Sequence, residues 1–210
     1  MDQLPLLVGV TGGIGSGKST VCAMLAGLGC ELFEADRVAK EFQLHDPEVI
    51  AGIEELFGSG VYRRDGSGVL SIDRKAIAAI VFSDSKKLEA LNRLIHPKVR
   101  DAFRREILRC AREGKRILCK EAAILFESGM DQELDRIIVV AAGDGVRLER
   151  AVARGMGSRE EIKRRMKAQW PQEQLIKRAH YVIFNDGTID ELRSQVEQVY
   201  RSLESLIESA

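Results

Sequence analysis

Residues 12–19 read Gly-Gly-Ile-Gly-Ser-Gly-Lys-Ser, a full match to G-x-x-x-x-G-K-[ST]. Its surroundings constrain the fold more than any other stretch. Leu6-Leu7-Val8-Gly9-Val10 precedes it as a short apolar run, the pattern of a strand buried on both faces. After it, Val21, Leu25 and Leu28 recur at helical spacing, and Gly29 gives a C-terminal stop. A strand, a glycine-rich turn and a helix in that order form a cradle for phosphate. The glycines let successive N–H groups converge, and the helix adds the positive end of its dipole. In such a loop the Lys18 ammonium reaches the outer phosphates, and the Ser19 hydroxyl is placed for Mg2+.

The remaining chain continues the alternation. Cys30–Phe33 reads as a second strand, Ile117–Cys119 as a third, Ile137–Ala141 as a fourth and Tyr181–Phe184 as a last one. Between them, 35–81 reads as helical with breaks, Asp46-Pro47 being a helix start and Arg63–Gly68 a turn. Helical periodicity resumes at Leu88. His96-Pro97 is expected to interrupt it, with a second helix carrying Val99, Phe103, Ile107 and Cys110 on one face. Ser158-x-x-Glu161 and Thr188-x-x-Glu191 are capping boxes that open helices. Such alternation predicts an α/β fold, a parallel sheet flanked by helices. The core is expected to comprise 1–40, 116–146 and 179–210. A helical subdomain over 41–115 and a separate segment over 147–178 would be set into it.

Two further features bear on chemistry. Glu34-Ala35-Asp36 follows the second strand, where open parallel sheets bind ligands. Asp36 there can accept a proton or hold Mg2+ through water; equally, it can cap the next helix, and spacing alone leaves both readings open. Residues 147–178 hold ten basic side chains, Arg147, Arg150 and Arg154 among them, against four acidic ones. Part of that excess is a solvated helix face, and part suits neutralising a transferring phosphoryl group. Asp144, flanked by Gly143 and Gly145, reads as a turn or helix cap rather than a metal-holding strand end. No N-K-x-D motif for guanine is present.

These motifs together resemble the dephospho-CoA kinase family over nearly the whole chain. Val10–Thr20 is similar to the family's extended loop, Glu34-Ala35-Asp36 to its Asp-Ala-Asp, and His96-Pro97-x-Val99 to its His-Pro motif. Ile124-Leu125-Phe126-Glu127, Arg150-x-x-x-Arg154, Ile162-x-x-Arg165-Met166-x-x-Gln169 and Ile183-x-Asn185-x-Gly187 complete the likeness. Glu34 and Ala123 depart from it, standing where the family has Asp and Pro. The resemblance implies a P-loop kinase core with a helical CoA-binding subdomain and a lid, and an ATP-dependent transfer of phosphate to the ribose 3′-hydroxyl of dephospho-CoA. It implies Asp36 as general base and Lys18 with Arg150 on the phosphates. The loop residues Gly13, Ile14, Gly15, Ser16, Gly17, Lys18, Ser19 and Thr20 would form the ATP cradle. Asn185 would lie near the adenine, His96 on the acceptor side, and Ser19 on Mg2+.

Composition narrows the class without choosing the reaction. Lys+Arg and Asp+Glu are both 32 among 210 residues, so a globally basic nucleic-acid binder is not expected. Cys22, Cys30, Cys110 and Cys119 make no C-x-x-C pair, and no apolar run approaches a membrane span. Met1-Asp2-Gln3 lacks the positive start of a signal peptide. A cytoplasmic protein with reduced thiols and no membrane partner is expected, its oligomeric state open. Another small-molecule or nucleotide P-loop kinase is the nearest rival, and a nucleotide-binding module without transferase activity the more distant one.

Overall fold

In a computed structural model, which describes residues 3–209 apart from the Phe82 side chain, the chain forms two compact units. The Met1-Asp2 start lies outside the described residues. One unit is built from the chain up to Glu34 and from Ile107 onward, the other from Ala35–Glu106.

The first unit holds β1 (Leu6–Thr11), α1 (Lys18–Gly27) and β2 (Glu31–Glu34). The second holds α2 (Ala35–His45), α3 (Pro47–Phe57), the antiparallel pair β3 (Tyr62–Arg64) and β4 (Leu70–Ile72), and α4 (Arg74–Ser83). The boundary between the units falls within α5 (Ser85–Arg112). The first unit then continues with β5 (Ile117–Glu121), β6 (Arg136–Ala141), α6 (Asp144–Ala153), α7 (Arg159–Ala168), α8 (Gln172–Arg178), β7 (Tyr181–Phe184) and α9 (Ile189–Glu208).

Five strands form one parallel sheet in the order β2-β5-β1-β6-β7. Alternation sorts its side chains. Val8, Val10, Ile117, Cys119, Ile138, Val140 and Ile183 pack on one face against Val21 and Leu25 of α1 and Leu192, Val196 and Leu203 of α9. On the opposite face, a Cβ at Gly9 would come within 2.7 Å of Leu125 and Leu134. The expected parallel sheet with flanking helices is therefore present, and β1 occupies its centre. The phosphate-loop candidate leaves that central strand at its carboxyl end.

Capping explains where the helices start. Asp46 accepts from the N–H groups of Glu48 and Val49 ahead of α3, and both capping boxes, Ser158/Glu161 and Thr188/Glu191, are formed. Two expectations need correction. The segment around His96-Pro97 does not divide: α5 runs unbroken from Ser85 to Arg112. Pro97 deletes a single backbone donor, while Ile95, Val99 and Phe103, spaced four residues apart, keep one buried stripe running across it. The third strand extends beyond Cys119 to Glu121, because the register with β1 and β2 continues through the polar pair Lys120 and Glu121.

Candidate active site

The loop between β1 and α1 has the shape its sequence demands. Gly15 and Gly17 have φ of +77° and +96°, left-handed values that favour glycine. Lys18 folds back to donate from Nζ to the Gly12 carbonyl at 2.8 Å. The loop runs directly into α1, whose first N–H groups have no acceptor within the helix. Two hydroxyls, Thr11 Oγ1 and Ser16 Oγ, are buried without a hydrogen-bond partner. Orphaned donors, a cation and a helix N-terminus meet at one glycine-rich turn, a setting suited to a polyphosphate.

Residues distant in sequence hold this loop. Asn185, just past β7 and buried, donates from Nδ2 to the Ser16 carbonyl at 2.8 Å. A Cβ at Gly17 would fall 2.2 Å from that same nitrogen. Arg150 of α6 donates to the Asn185 carbonyl at 2.7 Å. Lys18, Arg150 and Asn185 are thus brought to one loop.

Two contacts on Ile14 come from residues to which motif reading gave no role at the loop. Arg147 Nε donates to its carbonyl at 3.1 Å, and Gln169 Oε1 accepts from its N–H at 2.9 Å. Arg147 is only 5% exposed. Burial pushes its pKa down, offset by the Asp144 carboxylate at 3.0 Å, and an arginine remains charged under both influences. Asp144 is the first residue of α6 and makes this ion pair; the N-cap is Gly143, and no side chain caps the helix, so Asp144 is not the cap the sequence suggested. The signal for Arg147 was hidden among ten basic residues on amphipathic helices, which spacing alone cannot rank.

Two carboxylates stand at the carboxyl edge of the sheet, Glu34 of β2 and Glu121 of β5, directly paired in register. Both act on the Cys22 thiol of α1. Burial first, then Glu121, pushes that thiol up to about 12, with Lys18 opposing. Ser19 is exposed at the first turn of α1. No cluster of three or more His, Cys, Asp or Glu side chains able to hold a metal is found among the described residues.

Asp36 and His96 belong to the second unit. Asp36 is half-buried in the first turn of α2, two residues beyond the end of β2. His96 is half-buried within α5.

A parallel sheet of this strand order, with a glycine-rich loop rising from its central strand into a helix, places the chain in the P-loop class of α/β proteins. Comparison with known proteins narrows the class. The sequence model described as "Dephospho-CoA kinase" matches residues 6–191. The chain is 77% identical over 206 residues to a dephospho-CoA kinase of Chlorobaculum tepidum, covering 98% of this chain and 99% of that protein. The crystal structure of TT1252 from Thermus thermophilus superposes with a TM-score of 0.81 at 34% identity, covering 96% of this chain and 99% of the other. A dephospho-CoA kinase from Campylobacter jejuni gives 0.67 at 26% identity, with 94% and 96% covered. The chain belongs to the dephospho-CoA kinase family, whose reaction is the last step of coenzyme A biosynthesis.

Proposed function

We propose that the chain uses ATP to phosphorylate the ribose 3′-hydroxyl of dephospho-CoA, with the β1–α1 loop as the triphosphate site and Asp36 as the general base. The observation that carries this reading is the loop itself: Lys18, the left-handed glycines and the orphaned Ser16 hydroxyl converge at the mouth of α1. Asp36 takes the proton as the 3′-oxygen attacks the γ-phosphorus. The new O–P bond forms as the bond to the β,γ-bridging oxygen breaks, and ADP leaves. Lys18 and Arg150 neutralise charge on the transferring group. Positioning and charge account for most of the acceleration in such a transfer.

The donor set fits Mg2+. Ser19, exposed at the first turn of α1, supplies a hydroxyl, and Mg2+ characteristically keeps waters and nucleotide oxygens rather than an all-protein cage. When bound, the ion neutralises charge on the β- and γ-phosphates. Asn185 serves the nucleotide side by holding the Ser16 carbonyl. The 41–115 segment is assigned to the acceptor, His96 included, and the 147–178 segment is assigned as the lid. A cytoplasmic location is part of this reading and rests on the family assignment. No helix among the described residues is long and apolar enough to cross a membrane.

A coupled ADP-release assay with MgATP tests this, comparing dephospho-CoA with nucleosides, nucleotides and shikimate. Turnover with dephospho-CoA alone, giving a product that co-elutes with CoA, is expected. Preference for another acceptor overturns the substrate assignment and keeps the kinase.

A further inference from the structure

The Ile14 peptide has both of its polar ends taken by side chains from a single stretch of chain. Its N–H is bonded to Gln169 Oε1 and its carbonyl to Arg147 Nε. Its side chain is buried against Leu148, Ala151 and Ile162 of the two helices on which or beside which these residues stand. An N–H committed to Gln169 does not serve a phosphate. Ile14 is therefore an anchored point of the loop.

The chemistry of each partner is specific. The Gln169 carboxamide accepts from Ile14 and, through Nε2, donates to the Ala123 carbonyl at 3.3 Å. Turning it over would set N–H against N–H and oxygen against oxygen. It thereby ties the loop to the chain just beyond β5. Arg147 lies so close over the loop that a Cβ at Gly13 would fall 1.9 Å from its Nη2, and one at Gly15 would fall 2.1 Å from its carbonyl oxygen. Gly15, with a left-handed φ and the Arg147 backbone in the way of a Cβ, has no room for a side chain, and at Gly13 the Arg147 guanidinium fills that space.

We propose that Gln169 and Arg147 are positioning residues for phosphoryl transfer: by holding the two ends of the Ile14 peptide they set the loop in the shape that receives the triphosphate. This rests on the reading of the loop as the ATP site. Both side chains are committed to the loop peptide and its surroundings. Each acts through the curvature of the loop, and hence through the affinity for MgATP rather than through the chemical step.

Steady-state kinetics with MgATP and dephospho-CoA test it, using Gln169→Met, which keeps length and removes the polar atoms, and Arg147→Met, which shortens the side chain and removes the guanidinium. Each is expected to raise the KM for MgATP roughly three- to tenfold, with kcat within about twofold and the KM for dephospho-CoA unchanged. Because both act on one peptide, the double variant is expected to raise KM by less than the product of the single effects. A folded Gln169→Met enzyme with a wild-type KM overturns the inference, and a fully multiplicative double variant overturns the shared anchor. If Gln169→Met does not fold, Gln169→Glu keeps the acceptor for Ile14, loses the donor to Ala123 and brings a negative charge to the loop. Its KM is expected to rise and to fall back as salt screens that charge, and an unchanged KM again overturns the inference. Lys18→Ala separates the two levels. Wild-type turnover that Lys18→Ala abolishes upholds the loop as the ATP site, whereas no MgATP-dependent turnover in the wild type overturns that reading and this inference with it.

Discussion

At the scale of single residues, Gly17 and Asp36 carry the sharpest expectations. Gly17 has left-handed backbone angles, and the space its Cβ would need is held by Asn185 Nδ2. Gly17→Ala must therefore strain the backbone and displace the bond from Asn185 to Ser16. A stability loss of about 1–3 kcal/mol is expected by denaturant titration, with ATP affinity falling more than about tenfold as a cradle N–H is misplaced. Wild-type ATP affinity in a folded Gly17→Ala protein would show that the Asn185 contact is dispensable. Asp36→Asn is nearly isosteric and cannot take a proton. Turnover with dephospho-CoA is expected to fall about 10²–10⁴-fold with little change in melting temperature. Retained turnover would remove Asp36 from the role of base.

At the scale of elements, α3 offers a pH-dependent test. The Asp46 carboxylate accepts from the Val49 and Glu48 N–H groups and lies 3.2 Å from the Lys98 ammonium of α5. The Val49 bond above all, aided by Lys98, holds its pKa below the usual carboxylate value. A carboxyl that titrates lower when folded than when unfolded stabilises the fold above the unfolded value of about 3.9, and that contribution is lost as pH falls through the folded value. Asp46→Ala is expected to melt below the wild type at pH 7, and the gap is expected to close in strong acid. A gap independent of pH would assign the effect to helix propensity. Asp46 also illustrates what the sequence makes legible. Caps, glycine stops and the phosphate loop are written within eight or fewer neighbouring residues, so their structure could be read directly. The unbroken α5 was not legible, since the packing of Ile95, Val99 and Phe103 outweighs the local signal of Pro97. Nor were the last residues of β5, where tertiary pairing overrides polarity at Lys120 and Glu121. The hold of Arg147 and Gln169 on Ile14 joins residues 133 and 155 positions apart, a separation at which no periodicity operates.

At the scale of the molecule, the thiols report how the nucleotide site is coupled to the core. All four cysteines are buried thiols. Cys22, Cys30 and Cys119 lie in the cluster between the sheet and helices α1 and α9. Burial keeps Cys22 protonated, and a hydrogen bond with Cys30, then burial, raises Cys119. Buried, protonated thiols are poor nucleophiles, so a thiol reagent must wait for the cluster to open. The native protein is expected to react slowly at these three positions, and all four thiols are expected to react at once in denaturant. Cys22 lies one helical turn beyond Lys18 on α1, so an opening that frees it also dismantles the loop. A ligand bound only to the closed form lowers the open population by the factor 1 + [L]/Kd, and MgATP at about 100 times its Kd should slow labelling of Cys22, Cys30 and Cys119 about 100-fold. Peptide mapping after timed labelling would read each position separately. If MgATP raises the melting temperature yet leaves these rates unchanged, the cluster opens without disturbing the loop. The phosphate site would then be an appendage of the sheet rather than part of its cooperative core.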